Sequence, residues 1–413
     1  MTRARLALAF WALCLAAPSA RAGMRSPCTD PIVLPGARVQ VFILPFVAAG
    51  ELDERGRDFA SILQRQVLFS ALKYRSIGVE ELTGDSHECS SERAYDAIGR
   101  RLSDEQVALF MSVRLFQQGS VIYLQSTAMA LAKKLDDSAH WQTGIEGARV
   151  GATTPAEPVQ FAPRAIPLEL FANLRESAVR ANRLYREASE SSEFRDLPRG
   201  PEARFSFSVI DSEGSWMKVK LLPNGDTGWL SASALASPEV VASVLPELRF
   251  VDGWVGYYAL RESPEVARDA SESLEKYLQS SAKLAESEAR SDAAILLGNV
   301  ALRMGAAEKS LPAARAYYAR AHEISPDSTA ASNFYLASTT ALCAKGPCPI
   351  SGDALHKEYL EAIARDPTSA ELVANLESYY TVARARKEIR GELKPERIDA
   401  QLKQIHEIKS QLR

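Results

Sequence analysis

The sequence predicts a multidomain α+β protein: an α/β domain in the N-terminal half, a small β-barrel, and a C-terminal α-helical repeat array. Three observations carry this. Between about residues 37 and 181, apolar runs of strand length alternate with stretches of helical spacing. Residues 182–236 hold short alternating segments separated by turn residues. From residue 246 to 413 the apolar spacing is helical almost throughout, and one pattern recurs. Ala314, Tyr318 and Ala321 lead into Pro326, and Leu355, Tyr359 and Ala362 lead into Pro367 at the same offsets.

Composition bounds the rest. The 413 residues are 46% hydrophobic and 24% charged, which supplies a real core and excludes a disordered chain or a polytopic membrane protein. The formal charge of −3 excludes a general nucleic-acid binder, which needs a basic face to displace counterions. Five cysteines and five histidines leave little material for a metal centre, and no metal and no cofactor is expected.

Residues 1–22 have the pattern of a signal peptide. Arg3 and Arg5 precede an apolar run from Leu6 to Ala17, too short to span a bilayer, and Ala20-Arg21-Ala22 gives a small-x-small cleavage site. Cys14 lies inside the apolar run without the flanks of a lipidation site. Cleavage would remove Arg3, Arg5 and Arg21 and no acid, taking the charge from −3 to −6. The expected destination is the periplasm or the exterior. Four cysteines would remain, Cys28, Cys89, Cys343 and Cys348, and an even count in an oxidising compartment predicts disulfides. Cys343 and Cys348 enclose the turn-rich Ala-Lys-Gly-Pro, and Cys28 and Cys89 then pair by default. A cysteine metal site would need tighter spacing and nearby histidines.

In the first region, Val39 to Phe46 is a buried strand ending at Pro45, followed by a helix from Asp53 to Leu72 with Phe59, Leu63, Val67, Leu68 and Leu72 at helical spacing. Ile77-Gly-Val79 is a short strand, and Ser91 caps a helix running to Leu102. Ala108–Phe116 and Ser120–Ala130 are strands joined by a hairpin loop at Gln117-Gln118-Gly119. Thr153–Pro167 is Pro-rich and irregular, and Leu168–Tyr185 is expected to be a closing helix. Leu44-Pro45-Phe46, the helix with Phe59-Ala60 and Leu63, and the hairpin resemble the TolB-type N-terminal domain. That resemblance implies a domain serving protein contacts.

The second region has sharper turn chemistry. Leu197-Pro-Arg-Gly200 precedes a strand from Phe205 to Ile210, Trp216 to Val219 begins another, and Asn224-Gly225 is a tight-turn pair. Gly228-Trp229-Leu230 resumes the apolar pattern, and Leu235 closes it. These residues resemble the bacterial Src-homology-3-like module, which implies a small barrel able to bind peptides or cell-wall stems. Leu184-Tyr-Arg-Glu lacks the Arg-Ser-Gly-Pro stretch of that module's first strand. Trp216 and Trp229 are expected in the barrel core, because so small a barrel needs large apolar fillers; ligand binding is their other reading.

In the third region, Ala314, Tyr318, Ala321 and Pro326, with the Leu297-Gly298 pair, resemble tetratricopeptide repeats, as do Leu376 and Tyr380. That unit is 34 residues, so the 41-residue spacing lengthens one turn by about seven, where Cys343 and Cys348 lie. Glu377 stands where the family keeps Gly. About four helix pairs result, and the resemblance implies a concave face for a peptide or helix. Glu371, Glu377, Lys403 and Lys409 are expected on solvated faces.

No catalytic signature is complete. There is no Gly-x-Gly-x-x-Gly, no phosphate loop and no Gly-x-Ser-x-Gly, and His87-Glu88 and His406-Glu407 lack a second zinc-protease histidine. Ser70/Lys73, Ser215/Lys218 and Ser280/Lys283 match Ser-x-x-Lys without a Lys-Thr-Gly partner. His87 beside Cys89 is read as coincidence on a polar loop, and His140, His322, His356 and His406 as surface or packing residues. The sequence thus predicts a non-enzymatic scaffold or adaptor binding a protein or peptide partner in the cell envelope. Peptidoglycan binding through the barrel is the first alternative and a hydrolase in the α/β region the second.

Overall fold

The computed structural model describes residues 33, 37–44, 46–57, 59–60, 63, 67, 78–80, 91–133, 138–154, 157–167, 183–197, 205–222, 225–231, 245–260, 264–282, 284, 286–305 and 307–411. Residues 1–22, Cys28, Leu68, Leu72, Ser70, Lys73, His87, Cys89, Asn224, Leu235 and Lys283 lie outside them. The strands are β1 (Val39–Ile43), β2 (Val47–Ala48), β3 (Gly78–Glu80), β4 (Val107–Gln118), β5 (Val121–Ala132), β6 (Ser138–Gln142), β7 (Arg149–Thr153), β8 (Val159–Gln160), β9 (Arg164–Pro167), β10 (Arg183–Tyr185), β11 (Phe194–Asp196), β12 (Phe205–Glu213), β13 (Trp216–Leu222) and β14 (Thr227–Ser231). The helices are α1 (Ser91–Gly99), α2 (Glu247–Ala259), α3 (Pro264–Ser280), α4 (Ser287–Met304), α5 (Ala307–Ile324), α6 (Thr329–Lys345), α7 (Gly352–Arg365), α8 (Ala370–Ala385), α9 (Lys387–Arg390) and α10 (Pro395–Gln411).

The first sheet is mixed. β1 and β2 lie parallel to β4, β4 and β5 form a long antiparallel hairpin, and β8 and β9 pair with the other edge of β5. Side chains alternate across it. Val41, Ile43, Leu109, Met111 and Val113 enter the main core, where the helical Phe59, Leu63 and Val67 join them. Phe42, Leu44, Ala108 and Phe110 face the other way, onto Ala94, Ile98 and Leu102. Burial on both faces is why Val41 to Leu44 is an unbroken apolar run. The segment 153–167, read from its prolines as irregular, contributes β8 and β9. The helix expected over 168–185 does not reach its predicted end: Arg183–Tyr185 is strand β10, and residues 168–182 lie outside the described ones.

The expected small barrel is corrected. Among the described residues the second sheet is open, in the order β11-β10-β14-β13-β12-β3. Its far edge is β3, which comes from the first region and pairs antiparallel with β12. A strand from more than a hundred residues upstream occupies the edge that closure would have used. The turn at Gly225 is as predicted in kind, with φ +79° and its N–H donating to Leu221 O at 2.9 Å.

Helices α2, α4, α6, α8 and α10 form one row, each touching the next, with α3, α5 and α7 as a second layer. The recurring residues build it. Ala314, Tyr318, Ala321, Leu355, Tyr359 and Ala362 are all buried, while Pro326 and Pro367 stand exposed in the turns before α6 and α8. Ser328 and Ser369 cap those two helices, accepting from Ala331 N at 3.2 Å and Leu372 N at 3.3 Å. Gly298 is required by close approach, since a Cβ there would stand 2.3 Å from the Tyr318 ring. Cys343 and Cys348 are joined by a disulfide at the end of α6.

These parts share one hydrophobic core. It runs from the first sheet through Leu184, Val219 and Leu230 of the second into the helices. A buried polar lock reinforces the junction. Glu247, wholly buried in the first turn of α2, accepts from Ser126 of β5 and pairs with Arg164 of β9. Beside it Glu286 accepts from Tyr277 Oη and Ala162 N, both at 3.1 Å.

Candidate functional site

The face most suited to recognition is the inner surface of α6 and α8, and it is filled by this chain. β6 and β7 form a two-stranded hairpin, in register from Ser138↔Thr153 to Gln142↔Arg149, and β7 lies against both helices. Local chemistry makes the hairpin. Gly144 and Gly147 adopt φ +78° and +79° in the loop, and Thr143 Oγ1 donates to Ala148 O at 2.7 Å. Gly151 is needed because the cross-strand His140 ring would stand 2.4 Å from a Cβ.

Only one edge of β7 pairs with β6, which leaves the main-chain groups of residues 149, 151 and 153 facing away. Helix α8 meets them with three side chains on one face. Glu371 Oε2 accepts from Thr153 N at 3.2 Å and Oε1 from Thr153 Oγ1 at 2.8 Å. Asn375 Oδ1 accepts from Gly151 N at 3.0 Å while its Nδ2 donates to Gly151 O at 2.6 Å. Ser378 Oγ donates to Arg149 O at 2.5 Å. The spacing is geometric. Residues 371, 375 and 378 share a face and span ~10.5 Å of helix, while 149 to 153 span ~13 Å of strand with every second residue facing the same edge. Helix and strand therefore run antiparallel in near-register. Asn333 of α6 ties the two helices together, accepting from Asn375 at 2.5 Å and donating to Glu371 at 2.5 Å. Asn333 and Asn375 are each only 2% exposed, so the centre of the network is dry, while its Thr153–Glu371 end is open to solvent.

The apolar half of the contact is Trp141 of β6. It is 7% exposed and packs edge-on against Tyr318 at 5.9 Å and Phe334 at 6.5 Å. The same Tyr318 that fills the gap over Gly298 thus also seats the hairpin. Glu371, expected on a solvated face, belongs to this contact, and Glu377 pairs with His406 at 2.7 Å.

Beyond the end of β7 the chain leaves a cavity of about 680 Å³ between residues 153, 154 and 157–160 and helices α2, α4, α6 and α8. Phe250 and Trp254 back its α2 side, both almost wholly buried, with their rings 5.1 Å apart. Among the described residues its charged lining is acidic: Glu157, Glu288, Asp292, Asp327, Asp366 and Glu371. Burial, with the neighbouring charges of Glu288 and Glu157, pushes Asp292 up to about 7. Asp366, by contrast, is held below the usual carboxylate range by hydrogen bonds from Thr368 and Thr329. Among the described residues no group of three His, Cys, Asp or Glu is placed to hold a metal ion.

The other residues singled out from sequence do not converge. Trp216 and Trp229 are both half-buried on the second sheet, Trp216 against Tyr185 at 5.1 Å and Trp229 beneath the Lys218 ammonium at 5.6 Å. The described histidines sit on four different elements. His322 stacks on Tyr335, His356 bonds Tyr380 Oη at 2.8 Å, His406 meets Glu377, and His140 covers Gly151. The hairpin itself was missed in the sequence. Its signal was present in the alternation of Ser138–Gln142 and Arg149–Thr153 around Gly144 and Gly147. No protein-family model, curated protein or solved structure matches the chain. No described helix is long and apolar enough to cross a membrane.

Proposed function

We propose that this protein is a non-enzymatic scaffold of the cell envelope, exported by the residues 1–22, whose helical region recognises extended polypeptide backbone. The observation that carries this reading is the Asn375 amide, which reads both the N–H and the C=O of Gly151 in a strand edge. Such contacts are indifferent to the bound side chains, as in strand-addition modes of peptide recognition. The face is held in cis by β7, so a partner's strand gains access by displacing the hairpin. The tetratricopeptide-like spacing and the TolB-type resemblance of the first region support the same class of role.

A photocrosslinking residue placed at position 374 of the full chain, in its native cell, tests this. Wild-type hairpin sequence should give mainly internal crosslinks to 149–153. Trp141→Ala should divert them to one envelope protein, and unchanged internal crosslinks in a hairpin-weakened chain, with no partner, would refute the reading.

A second reading, a peptidoglycan-binding accessory factor, has its own observation. The second sheet carries an exposed Phe194, 47% accessible, under the Arg183 guanidinium at 4.3 Å, beside Trp216 and the Lys218–Trp229 pair. Aromatic rings with flanking cations suit sugars bearing carboxylates. Full-length protein that stays in the supernatant with purified sacculi would exclude it.

A further inference from the structure

We infer that the α6–α8 face accepts one kind of extended segment: a small apolar residue, any residue, a second small residue, then a serine or threonine whose hydroxyl is selected by Glu371. This is the partner chemistry that the scaffold reading leaves unnamed, and its assignment rests on that reading. β7 is in effect a ligand already seated, and Val150, Gly151, Ala152 and Thr153 each meet a different environment. The main-chain contacts hold the segment without selecting its sequence. Asn375 takes both groups of Gly151, and Ser378 takes the carbonyl of Arg149.

Selection comes from the side chains, which alternate along a strand, so 150 and 152 share one face and 151 and 153 the other. Val150 is 2% exposed and Ala152 0%, both inside the main core cluster. A larger residue at 152 would overpack that core, and a charge at 150 would be buried without a partner. Position 151 differs. A Cβ on Gly151 would stand 2.4 Å from the His140 ring, and the three atoms nearest to it all belong to β6, none to a helix. The glycine is thus a demand of the hairpin, and an incoming single strand, which brings no β6, is free of it. Position 153 is read through its hydroxyl. Glu371 Oε2 accepts from Thr153 N at 3.2 Å and from the Asn333 amide at 2.5 Å, which fixes the carboxylate. Its Oε1 is thereby aimed at Thr153 Oγ1, which donates to it at 2.8 Å. Only serine and threonine place a hydroxyl one carbon from the backbone. This end of the network is open to solvent, so the selectivity is moderate.

Fluorescence polarisation with a labelled peptide of residues 148–154, Ala-Arg-Val-Gly-Ala-Thr-Thr, tests the pattern. The receptors are two full-length chains: Trp141→Ala, whose hairpin should undock, and Thr153→Val, a change at an exposed position that removes one hairpin contact and spares the fold. The peptide should bind saturably to both. Its Thr153→Val version should bind ~5-fold more weakly, the loss of one solvent-exposed hydrogen bond. Its Val150→Asp and Ala152→Leu versions should each lose ~10-fold or more, and its Gly151→Ala version should bind no more weakly than the parent. Adding Glu371→Ala to either chain should bring the ratio of parent to Thr153→Val affinity close to one. A merely structural loss would weaken both peptides alike and leave that ratio standing. The pattern is overturned by equal binding of the parent and Thr153→Val peptides, by a ratio that Glu371→Ala leaves unchanged, by tolerance of Val150→Asp or Ala152→Leu, or by loss of binding with Gly151→Ala. A scrambled peptide, Thr-Val-Ala-Arg-Thr-Gly-Ala, that binds as tightly as the parent also overturns it, while leaving backbone recognition and the scaffold reading in place. No binding of any peptide by either chain removes the pattern as well, and crosslinking from position 374 then decides the scaffold reading by itself.

Discussion

Asn375 carries three hydrogen bonds with one amide, two to Gly151 and one to Asn333, at 2% exposure. Truncating it strands a buried N–H, a buried C=O and the Asn333 oxygen at once, and each unsatisfied group costs about 1–3 kcal/mol. Asn375→Ala should therefore lower stability by about 3 kcal/mol or more in chemical denaturation. Asn375→Asp keeps the acceptor for Gly151 N–H but sets a carboxylate against Gly151 O, and should cost no less. Asp292 gives the opposite sign. Its folded-state pKa near 7 lies above the unfolded value of 3.8, so the folded protein holds this proton more tightly. Stability from that proton is complete below about pH 4 and is lost as pH rises through 7. Asp292→Asn should accordingly stabilise the protein at pH 8, by about 2 kcal/mol after allowance for residual solvent screening, and leave it unchanged at pH 4. Denaturation midpoints at the two pH values check this; equal shifts at both would refute it.

At the scale of elements, the hairpin of β6 and β7 is the part that joins sequence-distant surfaces. Trp141 is its one large apolar anchor, and Trp141→Ala should cost about 3–5 kcal/mol, mostly by undocking. Limited proteolysis should then cut within 142–149, where wild type resists. Its absence from the sequence reading has a physical reason. Local propensity and periodicity report contacts within a turn or a strand, but β7 is held by Asn375, 224 residues away. The open second sheet was illegible for the same cause, since β3 joins it from far upstream. What was legible was what local chemistry determines: β1 as a doubly buried run, the positive-φ turn at Gly225, and the Ala314, Tyr318, Ala321 packing with its Pro326 turn. The Cys343–Cys348 loop was also local. So small a loop removes little chain entropy, and reduction should cost about 2 kcal/mol without releasing α6.

Over the whole molecule, three sequence regions share one core, and this changes what unfolding should look like. Independent modules on linkers would melt separately. Here the main cluster is continuous from Val41 and Leu109 through Trp141 and Phe161 to Phe250, Tyr318 and Tyr379. Phe161 packs edge-on against both Phe250 and Tyr277 at 5.5 and 6.1 Å, and the Glu247–Arg164 pair is buried at the same junction. Beside the direct contacts of α2 with β1 and β4, two seams bind the N-terminal strands to the helices: the hairpin on α6 and α8, and the Phe161–Glu247 contact on α2 and α3. Calorimetry of the wild type should show the first sheet and helical region unfolding in one transition. Removing one partner of the buried pair leaves the other charge uncompensated and costs about 3–5 kcal/mol. Replacing both Trp141 and Arg164 by Ala weakens both seams, and the single transition should split in two, the helical repeats melting apart from the first sheet. Either single variant should lower the midpoint and keep one transition, since the remaining seam still couples the halves. Two transitions in the wild type would mean that the shared core does not couple them, and the displacement of β7 by a partner's strand would then require no cooperative release.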